Sequence, residues 1–170
     1  MQSDNEAVEV LNQSVTDELS IGVVIASLGR SENISVLLRT LSSQSKPPHH
    51  VVLSMESPSD CPKLGEFSFE VTSIFRPRGM TAQRNRGLVR LLDSSDIIVF
   101  FDDDFVPSKF AIEGIERVFS QNPDVVGATG EVLADGIQGQ GISPKDATTQ
   151  VSDFDAGRSG SQPFTIRRIS

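Results

Sequence analysis

The stretch Asp96-Ile97-Ile98-Val99-Phe100-Phe101-Asp102-Asp103-Asp104 decides the fold. Five β-branched or aromatic residues run straight into three carboxylates. The run is too short for a buried helix and rich in strand formers, so it reads as a central strand covered on both faces of a parallel sheet. Side chains alternate along an extended backbone, which places Asp102 and Asp104 on one side and Asp103 on the other. Adjacent carboxylates repel and need water or a cation. Two carboxylates on one side of a strand end suit a hard divalent ion, Mg²⁺ or Mn²⁺, whose remaining ligands are water and phosphate. Ligands in open α/β sheets bind at the carboxyl ends of the strands, where these acids would lie. The plainer alternative is a solvated acidic loop, since Asp is common in turns.

Working outward, the preceding segment offers Thr81 as the cap of a helix to about Leu92, with Leu88, Leu91 and Leu92 toward the core. Beyond the acids, a helix is expected from Pro107 or Ser108 to Asn122-Pro123, then a strand over 125–133 loosened by Gly127 and Gly130. Toward the amino end, Ile21 to Ala26 reads as a buried strand and Ser31 as a helix cap. Ile34, Leu37, Leu38 and Leu41 form one apolar stripe of that helix, and Lys46-Pro47-Pro48 stops it. His49 to Ser54 reads as the second strand. Adjacent His49 and His50 would face opposite ways and cannot clamp one ion. Phe67, Phe69 and Val71 alternate as in a half-buried third strand.

This order predicts an α/β three-layer sandwich with a mainly parallel sheet. Neither GxGxxG nor GxxxxGK[ST] occurs, which argues against a dinucleotide-binding Rossmann domain and a P-loop. The organisation expected is an acidic flexible lead over 1–19, an α/β domain over 20–134 and a Gly/Ser-rich, partly disordered tail over 135–170. In the tail, Phe164, Ile166 and Ile169 suggest one last edge strand.

The chain has 170 residues, a net charge of −8 and one cysteine, Cys61. The acidity argues against nucleic-acid or general anionic-membrane binding. Cys61 cannot form an internal disulfide, and a reducing, cytoplasmic setting is expected. No apolar run approaches the roughly 20 residues that span a bilayer, and the acidic start is unlike a signal peptide. Peripheral membrane association remains compatible with these features.

Four segments in order resemble the amino-terminal, donor-binding half of family-2 glycosyltransferases with the GT-A fold. The first strand with Ser27 and Arg30 resembles that family's opening strand, although Ala26-Ser27 stands where Pro-Thr is usual. Met55-Glu56 keeps one of the two acids that usually end the second strand. The segment from Gly79 to Leu88 is similar to Gly-x-x-x-Ala-Arg-Asn-x-Gly, with Gln83 where Ala is usual. Asp102-Asp103-Asp104 resembles Asp-x-Asp. The resemblance covers about 21–133.

It implies metal-dependent, inverting transfer of a sugar from a nucleotide-diphosphate donor to a saccharide or lipid-linked acceptor. Mn²⁺ or Mg²⁺ would be held by Asp104 with Asp102. Asp102 or Asp103 would accept from ribose hydroxyls, Glu56 and Ser27 would meet the base, and Arg84 would face the phosphates. The family's general base lies well after the Asp-x-Asp. Here Asp146, Asp153 and Asp155 fall in a stretch with no expected helix, so no base is assigned and the acceptor half is expected to be missing. The alternative is a non-catalytic nucleotide- and metal-binding module. An aspartyl phosphotransferase is disfavoured because Phe105-Val106-Pro107 supplies no hydroxyl after the acids.

Overall fold

The computed structural model describes residues 18–76, 78–134 and 141–157. Four strands form one sheet of order β3-β2-β1-β4, with β1 at Ile21–Ala26, β2 at His50–Met55, β3 at Glu70–Phe75 and β4 at Ile97–Asp102. Every pairing is parallel. Four α-helices accompany them among the described residues: α1 at Ser31–Ser42, α2 at Met80–Leu91, α3 at Ala111–Gln121 and α4 at Pro144–Gly157. The register aligns Ala26 with Ser54 on one side and with Asp102 on the other, so β2, β1 and β4 end level.

The two-residue alternation of the strands sorts the core. Ile21, Val23 and Ile25 face α1 and α3, joined there by Val51, Leu53, Ile97 and Phe101. The stripe Ile34, Leu37, Leu38 and Leu41 packs into this layer as its spacing predicts. Burying each such side chain is worth about 1.5–3 kcal/mol. Val24 and Val52 face the other way and meet Leu91 of α2. Helices thus cover both sheet faces, and the α/β three-layer arrangement expected from the sequence is what forms.

Two close contacts set the α2 layer. A Cβ on Gly87 would overlap Val24, and one on Gly22 would lie 2.5 Å from Ser95 Oγ and 2.8 Å from Leu91. Glycine at these positions lets α2 lie directly on β1. Gly79 starts the helix at φ 114°, a left-handed conformation that L side chains avoid.

Several boundaries differ from expectation. β4 lies at the sheet edge among the described residues, while β1 and β2 are the strands covered on both faces. Phe100 of β4 is exposed because α2 lies over β1 and β2 instead. Ser31 is the first residue of α1 and makes no capping bond. Thr81 lies inside α2, whose cap position is Gly79. Leu91 alone of the three leucines is buried, and Leu92 is 57% exposed. The third strand starts at Glu70. Phe67 and Phe69 stack before it, centroids 5.2 Å apart, and fill the core from a loop.

Residues 125–133 form no strand, and 126–133 are exposed, because the segment finds no sheet partner among the described residues. Residues 144–157, expected to lack a helix, form α4. Ser143 caps its start: Ser143 Oγ accepts from Asp146 N at 3.1 Å and donates to the Asp146 carboxylate at 2.7 Å. The expected acidic lead before residue 18 and the expected edge strand over 164–169 lie outside the described residues. Among the described residues, no helix is long and apolar enough to cross a membrane.

Candidate functional site

β4 stops at Asp102 because the chain turns there. Phe105 N donates to Asp102 O at 3.1 Å, and the Phe105 ring stacks on Phe101 with centroids 4.9 Å apart. The other two acids therefore occupy a tight turn, not an extended strand, and the two-residue alternation does not reach them. Asp102 turns to α2, where Arg84 Nη2 donates to its Oδ1 at 2.5 Å. Asp103 and Asp104 share a different partner. Arg30 Nη1, just ahead of α1, donates to Asp103 Oδ1 at 3.0 Å and Asp104 Oδ2 at 3.1 Å. Arg30 thus joins Asp103 with Asp104, while Arg84 holds Asp102.

The three acids differ in exposure. Asp103 is buried and both its oxygens are engaged, the second accepting from Ser27 Oγ at 2.5 Å. Ser27 is itself buried. These two residues bind the turn to the end of β1 and leave little for a ribose or a base. Asp102 and Asp104 keep 55% and 63% of their side chains exposed. Each uses one oxygen on an arginine, and its other oxygen makes no hydrogen bond among the described residues.

Three carboxylates face two guanidiniums, leaving one negative charge uncompensated. The Arg30 guanidinium is held protonated even more firmly than usual. The Asp103 charge is the largest cause, then the hydrogen bond to Asp103 and the charge of Asp104. Arg84 Nε is buried without a hydrogen-bond partner. A buried unpaired N–H on a charged group is costly and marks a place where an acceptor would be welcome.

Beneath this cluster lies a clasp that sequence reading missed. Gln83 is buried, and its Nε2 donates to Ser27 O at 2.8 Å and Ser54 O at 2.9 Å. Ser27 N also reaches Ser54 O at 3.1 Å. The ends of β1 and β2 are thereby bound to α2. The available signal was a glutamine four residues before Gly87 on the sheet-facing stripe of α2. Arg30 was visible in sequence as a loop residue and as part of the resemblance of the opening strand, and its place as the partner of two acids was not.

Glu56 stands apart. It follows β2, two strands from β4, which is roughly 10 Å at ordinary strand spacing. With Ser57, Arg76 and Arg78 it lines an open depression of about 530 Å³. Its nearest cation is Arg78, at 3.9 Å. The structure therefore brings together Ser27, Arg84, Asp102, Asp103 and Asp104 and leaves Glu56 on the same sheet end but outside their network.

Among the described residues, no group of three His, Cys, Asp or Glu side chains is placed to hold a metal. A cage made wholly of protein does not fit. A hard ion bound by one or two carboxylates together with phosphate oxygens and water does, because Asp102 and Asp104 offer exposed oxygen donors. No protein-family model matches the chain, and no curated protein sequence matches it.

Proposed function

We propose that this chain binds a nucleotide-diphosphate sugar together with Mn²⁺ or Mg²⁺ and serves an inverting glycosyltransferase of GT-A type. The observation that carries the reading is the pair of half-exposed carboxylates, Asp102 and Asp104, each beside an arginine at the carboxyl end of a parallel sheet. Arginine matches phosphate geometry, and the buried, unpaired Arg84 Nε adds a donor.

Asp102 and Asp104 would hold the ion, which when bound would neutralise the diphosphate and assist its departure as a Lewis acid. Arg84 and Arg30 orient those carboxylates and would share the phosphate charge. Ser27 and Asp103 hold the turn rigid, which keeps the exposed acids in place. Glu56, with Arg76 and Arg78, lines the adjoining depression, where a nucleoside would extend from the diphosphate. The acceptor is a saccharide or a lipid-linked group in this reading.

A general base is not assigned. Asp146 accepts from Ser143 Oγ at the start of α4, and Asp155 accepts from Ser108 Oγ at 2.6 Å and Lys109 N at 2.8 Å, so these two already serve the fold, while Asp153 is exposed on α4. That engagement favours a second reading, in which the chain binds donor and metal without turnover. Acceptor-dependent release of diphosphate separates the two.

The binding claim is tested by calorimetry with uridine and guanosine diphosphates, with and without Mn²⁺. Heat of binding is expected only when ion and diphosphate are present together, and Asp104→Asn should remove most of it. Equal binding by Asp104→Asn, or equal binding without the ion, would sink the assignment.

A further inference from the structure

The net charge hides a strong local reversal. Residues 71–92 hold five of the chain's 15 basic side chains, all of them arginine, and none of its 23 acidic ones. The structure places these arginines just after β3 and on α2. Arg84 is paired with Asp102, and Arg78 lies 3.9 Å from Glu56. Arg76, Arg86 and Arg90 are exposed and make no ion pair among the described residues. Arg86 donates to Phe75 O at 3.0 Å, which fixes its guanidinium beside β3.

The same surface carries exposed aliphatic side chains. α2 turns Gln83, Gly87 and Leu91 inward, so Val89 and Leu92 face water at 68% and 57% exposure, with Met80 exposed at the helix start. Val89 and Arg90 lie three and four residues after Arg86, so each is its neighbour on the helix surface. The outer layer thus interleaves guanidiniums with aliphatic groups, without an acid before Asp93.

We propose that the outer face of α2 forms a docking surface for an anionic lipid bilayer. Guanidiniums bind phosphodiester headgroups through paired hydrogen bonds. A helix lying flat with basic and aliphatic residues inserts the latter at the headgroup–acyl boundary. The acidic remainder of the chain is repelled by such a surface, so the field turns this face toward it. The face carries no exposed aromatic ring for stacking bases, which disfavours single-stranded nucleic acid. The proposal does not depend on donor binding.

Flotation with vesicles tests it. The full chain should float with phosphatidylcholine vesicles containing about 30% phosphatidylserine, and should be released by about 0.5 M salt, which shortens electrostatic reach. It should not float with phosphatidylcholine alone. Removing one arginine near the surface is worth about fivefold in partitioning, so Arg90→Gln combined with Val89→Asp should lose at least about tenfold. Arg39→Gln, on the exposed face of α1, should float as the parent does. Circular dichroism melting checks that the variants fold. If the double variant does not, Arg90→Gln alone is read, with the fivefold loss expected. Absence of flotation, equal flotation with neutral vesicles, an unaffected α2 variant or an equal loss in Arg39→Gln would each overturn the proposal.

Discussion

Asp103 and Asp104 are neighbours that do different work, and variants should separate them. Asp103 is buried against Ser27 and Arg30, so Asp103→Ala leaves a buried hydroxyl without its acceptor and a guanidinium without its main partner. Removing one partner of a buried charged hydrogen bond costs on the order of 1–3 kcal/mol. Asp104 is mostly exposed, and its pair with Arg30 is worth under about 1 kcal/mol. Urea unfolding should therefore find Asp103→Ala clearly less stable and Asp104→Ala close to the parent. Equal losses would show that the turn is not held through Asp103. His50 gives a pH dependence at the same scale. It is buried at the start of β2, with Nε2 2.9 Å from Thr72 Oγ1. Burial lowers its pKa below 6.5. The Glu70 carboxylate pulls the other way, and Arg90 and His49 add to the lowering. The folded state thus favours neutral His50, and the unfolded chain binds its proton more readily. Stability is retained above pH 6.5 and falls as pH drops from there toward the folded pKa. The urea midpoint should decline between about pH 7 and 5, and His50→Gln should flatten that decline.

At the scale of elements, α2 carries the most consequence per residue. Gly87→Ala would drive a methyl group into Val24 of β1. Helix propensity would gain up to about 1 kcal/mol, but overpacking costs typically 1–3 kcal/mol. A net loss in denaturant stability is expected, with α2 moved off β1. A more stable Gly87→Ala would show that the layer has room. Elements governed by local periodicity were legible in sequence. The stripe of α1 follows from spacing alone, the buried strand β1 from its short apolar run, and the end of β4 at the acids followed from composition. What escaped depends on partners distant in the chain. β4 is as apolar as a central strand, yet its position at an edge depends on which strands pair with it. Residues 125–133 have strand composition without a partner. α4 has little apolar periodicity and no buried residue, and it is held by the Ser143 cap and by Asp155 on Ser108 and Lys109. The site shows the same division. That the acids cluster at a strand end was readable. That the turn at Phe105 pairs Asp103 with Asp104 was not, because it depends on a ring stacking back onto Phe101.

For the whole molecule, the candidate site and the fold share their fastenings. Arg30 ahead of α1, Arg84 on α2, Ser27 after β1 and the turn after β4 are joined in one hydrogen-bonded cluster. A ligand bridging Asp102, Asp104 and the arginines would therefore brace elements from both sheet faces at once. Anything that binds the native state alone stabilises it by mass action, about 2.7 kcal/mol at a hundredfold excess over Kd. For a domain of this size each kcal/mol raises the melting temperature by roughly 2–4 °C. A nucleoside diphosphate with Mn²⁺ should then raise Tm by about 5–10 °C. The ion alone should give little, because the protein offers at most two carboxylates already beside arginines. The diphosphate alone should give little, because one uncompensated negative charge opposes it. Arg84→Gln should reduce the joint shift, since it removes a phosphate donor, and Asp102→Asn should reduce it through the ion. A shift of the same size from Mn²⁺ alone would place the ion elsewhere on this acidic chain. A shift from the diphosphate alone that survives chelation would mean that the arginines of the depression, Arg76 and Arg78, bind phosphate without help from the acids.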